Sequence, residues 1–174
     1  MGYTSYWDTR KCTDADHAGF QSALPIIRDL VKQHEAILCY EHDVPDKPPL
    51  ISPAEIQFNG RGKDGHETFL FQLEPEWAFC KTDRRPYDLP VCECLLVLKA
   101  YMPKLSISSD GFCGCLADQK PKVRLDESWD QAIENVRQYG VHFHAKITRR
   151  REPYCNMGLV LDRVESPQPI GVQR

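Results

Sequence analysis

What this 174-residue chain lacks narrows its class before any motif is read. Its longest aliphatic run, Leu95 to Leu98, falls far short of the roughly 20 apolar residues that a bilayer-spanning helix needs. The opening Met1-Gly2-Tyr3-Thr4-Ser5-Tyr6-Trp7 has no apolar signal-peptide core, and no Asn begins an N-x-Ser/Thr acceptor site. These absences make no membrane partner and a cytoplasmic location the expectation. An excess of basic charge is missing as well. The formal net charge is −3, so there is no strong nucleic-acid signal. There is no internal repeat, no G-x-S-x-G elbow and no H-E-x-x-H helix, so no named reaction class is indicated.

What is present is an ordinary globular balance, 41% hydrophobic and 27% charged, long enough to bury a core. Eight cysteines in a chain without a secretory signal are read as reduced thiols, several of them small core residues. The organisation expected is one α+β domain over residues 1–148, with 149–174 as a C-terminal tail or edge extension. Residues 2–7 alternate like a strand. Thr13 and Asp16 resemble a capping box ahead of Phe20, Leu24, Ile27 and Val31, with Pro25 expected to kink or break that helix.

Strands are expected at 36–40, 55–58 and 67–73, the last two joined by a glycine-rich hairpin loop, with an extended proline-rich connector at 43–53. Residues 89–101 are apolar nearly all round and predict a buried helix with Asp88 as its N-cap. A short strand at 105–108, a helix through Leu125, Trp129, Ile133 and Val136 closed by Gly140, and a strand from Val141 complete a mostly antiparallel sheet with about three helices. Met157 to Val160 is a candidate edge strand.

The densest chemistry lies at 79–88, Phe-Cys-Lys-Thr-Asp-Arg-Arg-Pro-Tyr-Asp, just before the buried helix. Helix N–H groups with Lys81, Thr82 and Arg85 could hold an anionic small molecule. Cys80 in that field could have a depressed pKa and act as a nucleophile, with Tyr87 or Asp110 in acid–base roles. Tyr6, Trp7 and Glu67 are further binding candidates on neighbouring strands. The same loop could equally be architecture, with Asp88 capping its helix and Cys80 in the core.

No cofactor is expected. The remaining metal alternative is zinc on Cys113, Cys115, His142 and His144, against which C-x-C is an unusual spacing. His142, His144, Lys146 and 149–151 make a basic edge without interleaved aromatics.

The motifs Gly2-Tyr3-Thr4 with Tyr6-Trp7, Phe58-Asn59-Gly60, Glu67-Thr68-Phe69, Phe79-Cys80-Lys81-Thr82 with Pro86-Tyr87-Asp88, and Ser108-Ser109-Asp110-Gly111 occur in that order. The order resembles a family of small uncharacterised proteins of bacteria, phages and fungi, which has no established activity. This chain has Ser5 where that pattern places a histidine. Two readings follow. One is a cofactor-independent enzyme of isomerase, cyclase or hydrolase type acting on an anionic small molecule near 79–88. The other is a non-catalytic binding or interaction protein with a structural 79–88 loop and a basic edge at 142–151.

Overall fold

A computed structural model describes residues 3–115, 125–151 and 154–165, without the side chains of 113–115, 147–151 and 154–157. The fold is α+β, with three α-helices and strands paired antiparallel throughout the described residues. The strands form three small sheets rather than one. Strands β1 (Thr4–Asp8), β6 (Trp77–Lys81) and β7 (Ser106–Ser109) make the first, in the order β6-β1-β7. In the second, β2 (Leu38–Cys39), β3 (Leu50–Ile51) and β5 (Phe69–Gln72) all pair with β4 (Glu55–Gly60). The third holds β8 (Cys113–Cys115), β9 (Val141–Arg151) and β10 (Tyr154–Val164), with β10 in the middle. The C-terminal strand is therefore longer than Met157 to Val160 and is not an edge, and β9 crosses the expected boundary at 148.

Helix α1 (Asp14–Gln33) starts where the Asp16 carboxylate accepts from Thr13 N at 2.8 Å and from the Thr13 hydroxyl at 2.7 Å. It runs unbroken through Pro25, contrary to expectation. Pro25 lies on the exposed face, so its ring meets water, and the carbonyl it deprives of a partner can be solvated. The opposite face buries Phe20, Ala23, Leu24, Ile27, Leu30 and Val31 at helical spacing.

Helix α2 (Asp88–Tyr101) is buried on almost every side, as its composition requires. Tyr87 takes the N-cap position and Asp88 is the first helical residue, which corrects the expected capping. Glu93 sits fully buried in its middle. One carboxylate oxygen lies 2.8 Å from His34 Nε2 and the other accepts from Asn135 Nδ2 at 2.5 Å. That carboxylate joins the end of α1 to α2 and to α3 (Glu127–Val136). Gly140 ends the turn after α3 at φ 73, a left-handed conformation that glycine adopts without a Cβ penalty.

Trp7 links the first two sheets. Its ring lies 5.1 Å from Phe69 and 6.2 Å from Phe71, and Phe71 stacks on Phe20 of α1 at 5.8 Å. No helix among the described residues is long and apolar enough to cross a membrane.

Candidate functional site

Residues distant in sequence meet on the first sheet. Ser5 stands between Cys80 on β6 and Ser109 on β7, while Tyr6 stands between Phe79 and Ser108. The Gly-Tyr-Thr-x-Tyr-Trp, Phe-Cys-Lys-Thr and Ser-Ser-Asp-Gly motifs are thus neighbours in space. Alternation divides them between two faces. The inner face carries Ser5, Trp7, Cys80 and Ser109, all buried. The outer face carries Tyr6, Trp77, Phe79, Lys81, Ser106 and Ser108.

The 79–88 segment is half strand and half turn, not one loop. Residues 79–81 belong to β6, and a tight turn at 82–87 leads into α2. Cys80 is fully buried, and burial pushes its thiol well above the ordinary range. The direction is opposite to the depression expected of a nucleophile. The Cys80 Sγ–H points at the Glu67 carbonyl, 3.3 Å away, and the Tyr87 hydroxyl donates to the same carbonyl at 2.7 Å. Tyr87 is itself fully buried, and burial raises its pKa. Glu67 uses its carboxylate to accept from Lys81 N at 2.7 Å. Thr82, fully buried, donates to the Asp88 carboxylate. These groups tie β6 to the start of α2.

Trp7 is core rather than ligand-facing, at 1% exposure. Asp110 is exposed and accepts from Thr4 N at 3.0 Å and from the Tyr6 hydroxyl at 3.3 Å, so it fastens β7 to β1. The next residue, Gly111, passes so close to Tyr3 that a Cβ would lie 2.1 Å from the phenol oxygen. Lys81 and Arg85 form no ion pair among the described residues, and Arg85 Nε is buried without a hydrogen-bond partner.

The turn itself is strained. Asp83 and Arg84 have φ of 51 and 58, uncommon for residues with a Cβ. It is held by the Tyr3 carbonyl, which accepts from Thr82 N at 3.0 Å, and by an Arg84–Asp126 ion pair of 3.2 Å. Beside it lies a cleft of about 420 Å3 lined by Arg84, Leu89, Asp126, Glu127, Ser128 and Gln131. Its only cation is already paired with Asp126, and Glu127 adds a further carboxylate, so the cleft is a poor site for an anion.

Asp88 is 2% exposed, and burial raises its pKa, offset in part by the Thr82 and Ser128 hydroxyls. A carboxyl that binds its proton more tightly when folded contributes most favourably in acid. That contribution is lost as pH rises through the folded value. Asp88→Asn keeps an acceptor for Thr82 and removes the charge. Its melting temperature relative to wild type is therefore expected to climb as pH rises from the ordinary carboxylate range towards neutrality. A difference that stays flat over that range contradicts the assignment.

The residues that sequence reasoning missed are Trp77 and Phe79 as surface groups. They are 53% and 49% exposed. Tyr6 stacks on Trp77 at 5.8 Å and 25°, and Phe79 lies 6.4 Å from Tyr6 and 5.7 Å from Trp77. Three large aromatic rings thus pack together on one open face of the sheet.

Elsewhere, Gly60-Arg61-Gly62-Lys63-Asp64-Gly65 has the G-x-G-x-x-G spacing of a dinucleotide turn. It joins antiparallel strands β4 and β5 through a 3-10 turn and opens no helix, so it lacks that motif's context. The Cys113 and Cys115 side chains of the zinc alternative, and the side chains of 149–151, lie outside the described residues. His144 Nδ1 lies 2.6 Å from Asp162, and His142 Nε2 lies 3.4 Å from Glu165. The register sets Cys113 opposite Asn156 and His144 opposite Val160, on the two sides of β10.

Compared with known proteins, the chain matches no family model, no curated protein and no solved structure.

Proposed function

We propose that this chain is a non-catalytic binding protein whose ligand-facing surface is the outer face of the β6-β1-β7 sheet. The observation that carries the reading is the exposure of Trp77 and Phe79, 53% and 49%, beside Tyr6. Holding such rings in water opposes folding, so a fold that keeps them there has another use for them. The 79–88 segment fits the architectural half of this reading, since Cys80, Thr82 and Tyr87 are buried and bonded internally. Buried free thiols at Cys39, Cys80, Cys92 and Cys94 support a reducing, cytoplasmic setting.

One observation favours a second reading, a cofactor-independent enzyme on an anionic small molecule. Among the described residues Arg85 has no carboxylate partner and a buried, unbonded Nε, in the turn just before α2.

A thermal-shift screen against carboxylates, phosphates, oligosaccharides and peptides separates the two. A ligand at about 100 times its Kd adds about 2.7 kcal/mol, which is readily seen. The Trp77→Ala/Phe79→Ala variant is expected to unfold within about 1 kcal/mol of wild type and to lose the ligand-induced shift, while Arg85→Ala keeps it. A shift lost in folded Arg85→Ala and kept in the aromatic variant selects the enzyme.

A further inference from the structure

We infer that the outer face of the β6-β1-β7 sheet docks a proline-rich peptide segment in polyproline II conformation that carries a basic residue. The inference rests on the binding-protein reading and names the chemistry of its partner.

The shape of the aromatic cluster comes first. Tyr6 and Trp77 are near parallel at 25°, whereas Phe79 is tilted by 44° to Tyr6 and 45° to Trp77. Rings tilted against one another leave ridges and furrows rather than a flat shelf. A pyrrolidine ring fits such a furrow with its C–H groups, which carry partial positive charge, over the negative faces of the rings. A polyproline II segment is extended before it binds, so ordering it costs little.

Its backbone carbonyls lack internal partners and need donors. The exposed hydroxyls of Ser106 and Ser108 stand on the adjoining strand, level with Asp8 and Tyr6. They lie along one side of the aromatic row.

Charge then selects the flanking residue. Asp110 is exposed at one end of the face, where it accepts from Thr4 N and the Tyr6 hydroxyl and meets no cation at ion-pair distance among the described residues. At the other end Asp8 is already paired with Arg10 at 2.6 Å. Glu74 and Glu76 lie beside it, held through backbone bonds to Thr9. Against these carboxylates stand the Lys81 ammonium on β6 and, beside Asp8, Lys11, which leaves Asp110 as the carboxylate free to meet a cation. An acidic border of this kind repels a phosphate chain and attracts an arginine or lysine, which can also lie over an aromatic face.

The protein supplies its own reporter. Trp7 and Trp129 are 1% and 0% exposed, so quenching of indole emission by succinimide, a neutral quencher, reads Trp77. The probe is a synthetic deca-proline ending in arginine, titrated into the whole chain. Controls are an arginine-ended glycine–serine peptide, cellohexaose and oligothymidylate. The proline peptide is expected to saturate and shield Trp77 where the glycine–serine peptide does not. Phe79→Ala is expected to weaken binding about tenfold. Asp110→Asn is expected to weaken it less and to reduce its salt dependence.

Failure of the proline peptide to shield Trp77 up to about 1 mM overturns the inference. If cellohexaose or oligothymidylate shields Trp77 instead, the peptide assignment falls and the binding surface stands. If raising the protein concentration alone shields Trp77, the face is a self-association surface and the assignment also falls. If nothing shields Trp77 and the aromatic variant keeps every ligand-induced thermal shift, both readings fall together.

Discussion

Trp7→Ala is expected to destabilise the protein by about 3–5 kcal/mol, a large share of the total stability of an ordinary domain. The ring is 1% exposed and lies between two sheets, against Phe69 and Phe71. Truncation removes the largest aromatic contact joining β1 to β5, and the rigid strands around it cannot close over the void. Trp7→Phe is expected to cost much less. It retains a ring at the joint and discards the buried Trp7 Nε1–H, which has no hydrogen-bond partner among the described residues. Urea unfolding checks both. If Trp7→Ala instead unfolds like wild type and merely weakens a ligand, Trp7 belongs to a binding site and the core assignment is wrong.

His34→Ala is expected to cost about 3 kcal/mol or more, although His34 is partly exposed. The loss comes from Glu93, whose side chain is 1% exposed and would be left with only Asn135 to bond it among the described residues. Removing the carboxylate itself is expected to hurt less. Glu93→Met leaves His34 able to turn to water and fills a site walled by the apolar faces of α1, α2 and α3. The asymmetry is the informative part. In equilibrium unfolding, His34→Ala should lie clearly below Glu93→Met, and restoring stability to His34→Ala by adding Glu93→Met identifies the stranded carboxyl group as the cause. Equal losses in both single variants would mean that packing, not pairing, dominates at this junction.

Much of this fold was legible wherever one face of an element is buried and the other is wet. The apolar residues of α1 and α3 recur at helical spacing. On β9, Val141 and Phe143 point inward while His142 and His144 point out. The all-apolar helix at 89–101 could only be central.

Legibility failed where that contrast disappears. In β6, Trp77 and Phe79 face solvent while Ala78 and Cys80 face inward, so both faces read as apolar and no alternation shows. Strands β3 and β8 span two and three residues, too short to carry a period.

The candidate site was half visible for the same reason. The polar groups of the 79–88 cluster gather there to fasten β6 to α2. Its reactive side chains turned inward, and a thiol and a phenol inside a core read the same in sequence as a thiol and a phenol lining a pocket. Tyr6, a binding candidate by sequence, lies on the outer face of its sheet. Large aromatics are core residues by default, so Trp77 and Phe79 gave no sign of exposure. Their i, i+2 spacing beside Tyr6 becomes meaningful only once the register is known.

The proposed function requires the outer aromatic face to bind rather than to hold the fold together, and the Trp77→Ala/Phe79→Ala variant tests this most directly. Its urea unfolding free energy is expected to stay within about 1 kcal/mol of wild type, because both rings are about half in water. A loss of about 3 kcal/mol or more, the cost of truncating a buried ring, would make Trp77 and Phe79 structural and remove the basis for a binding surface there.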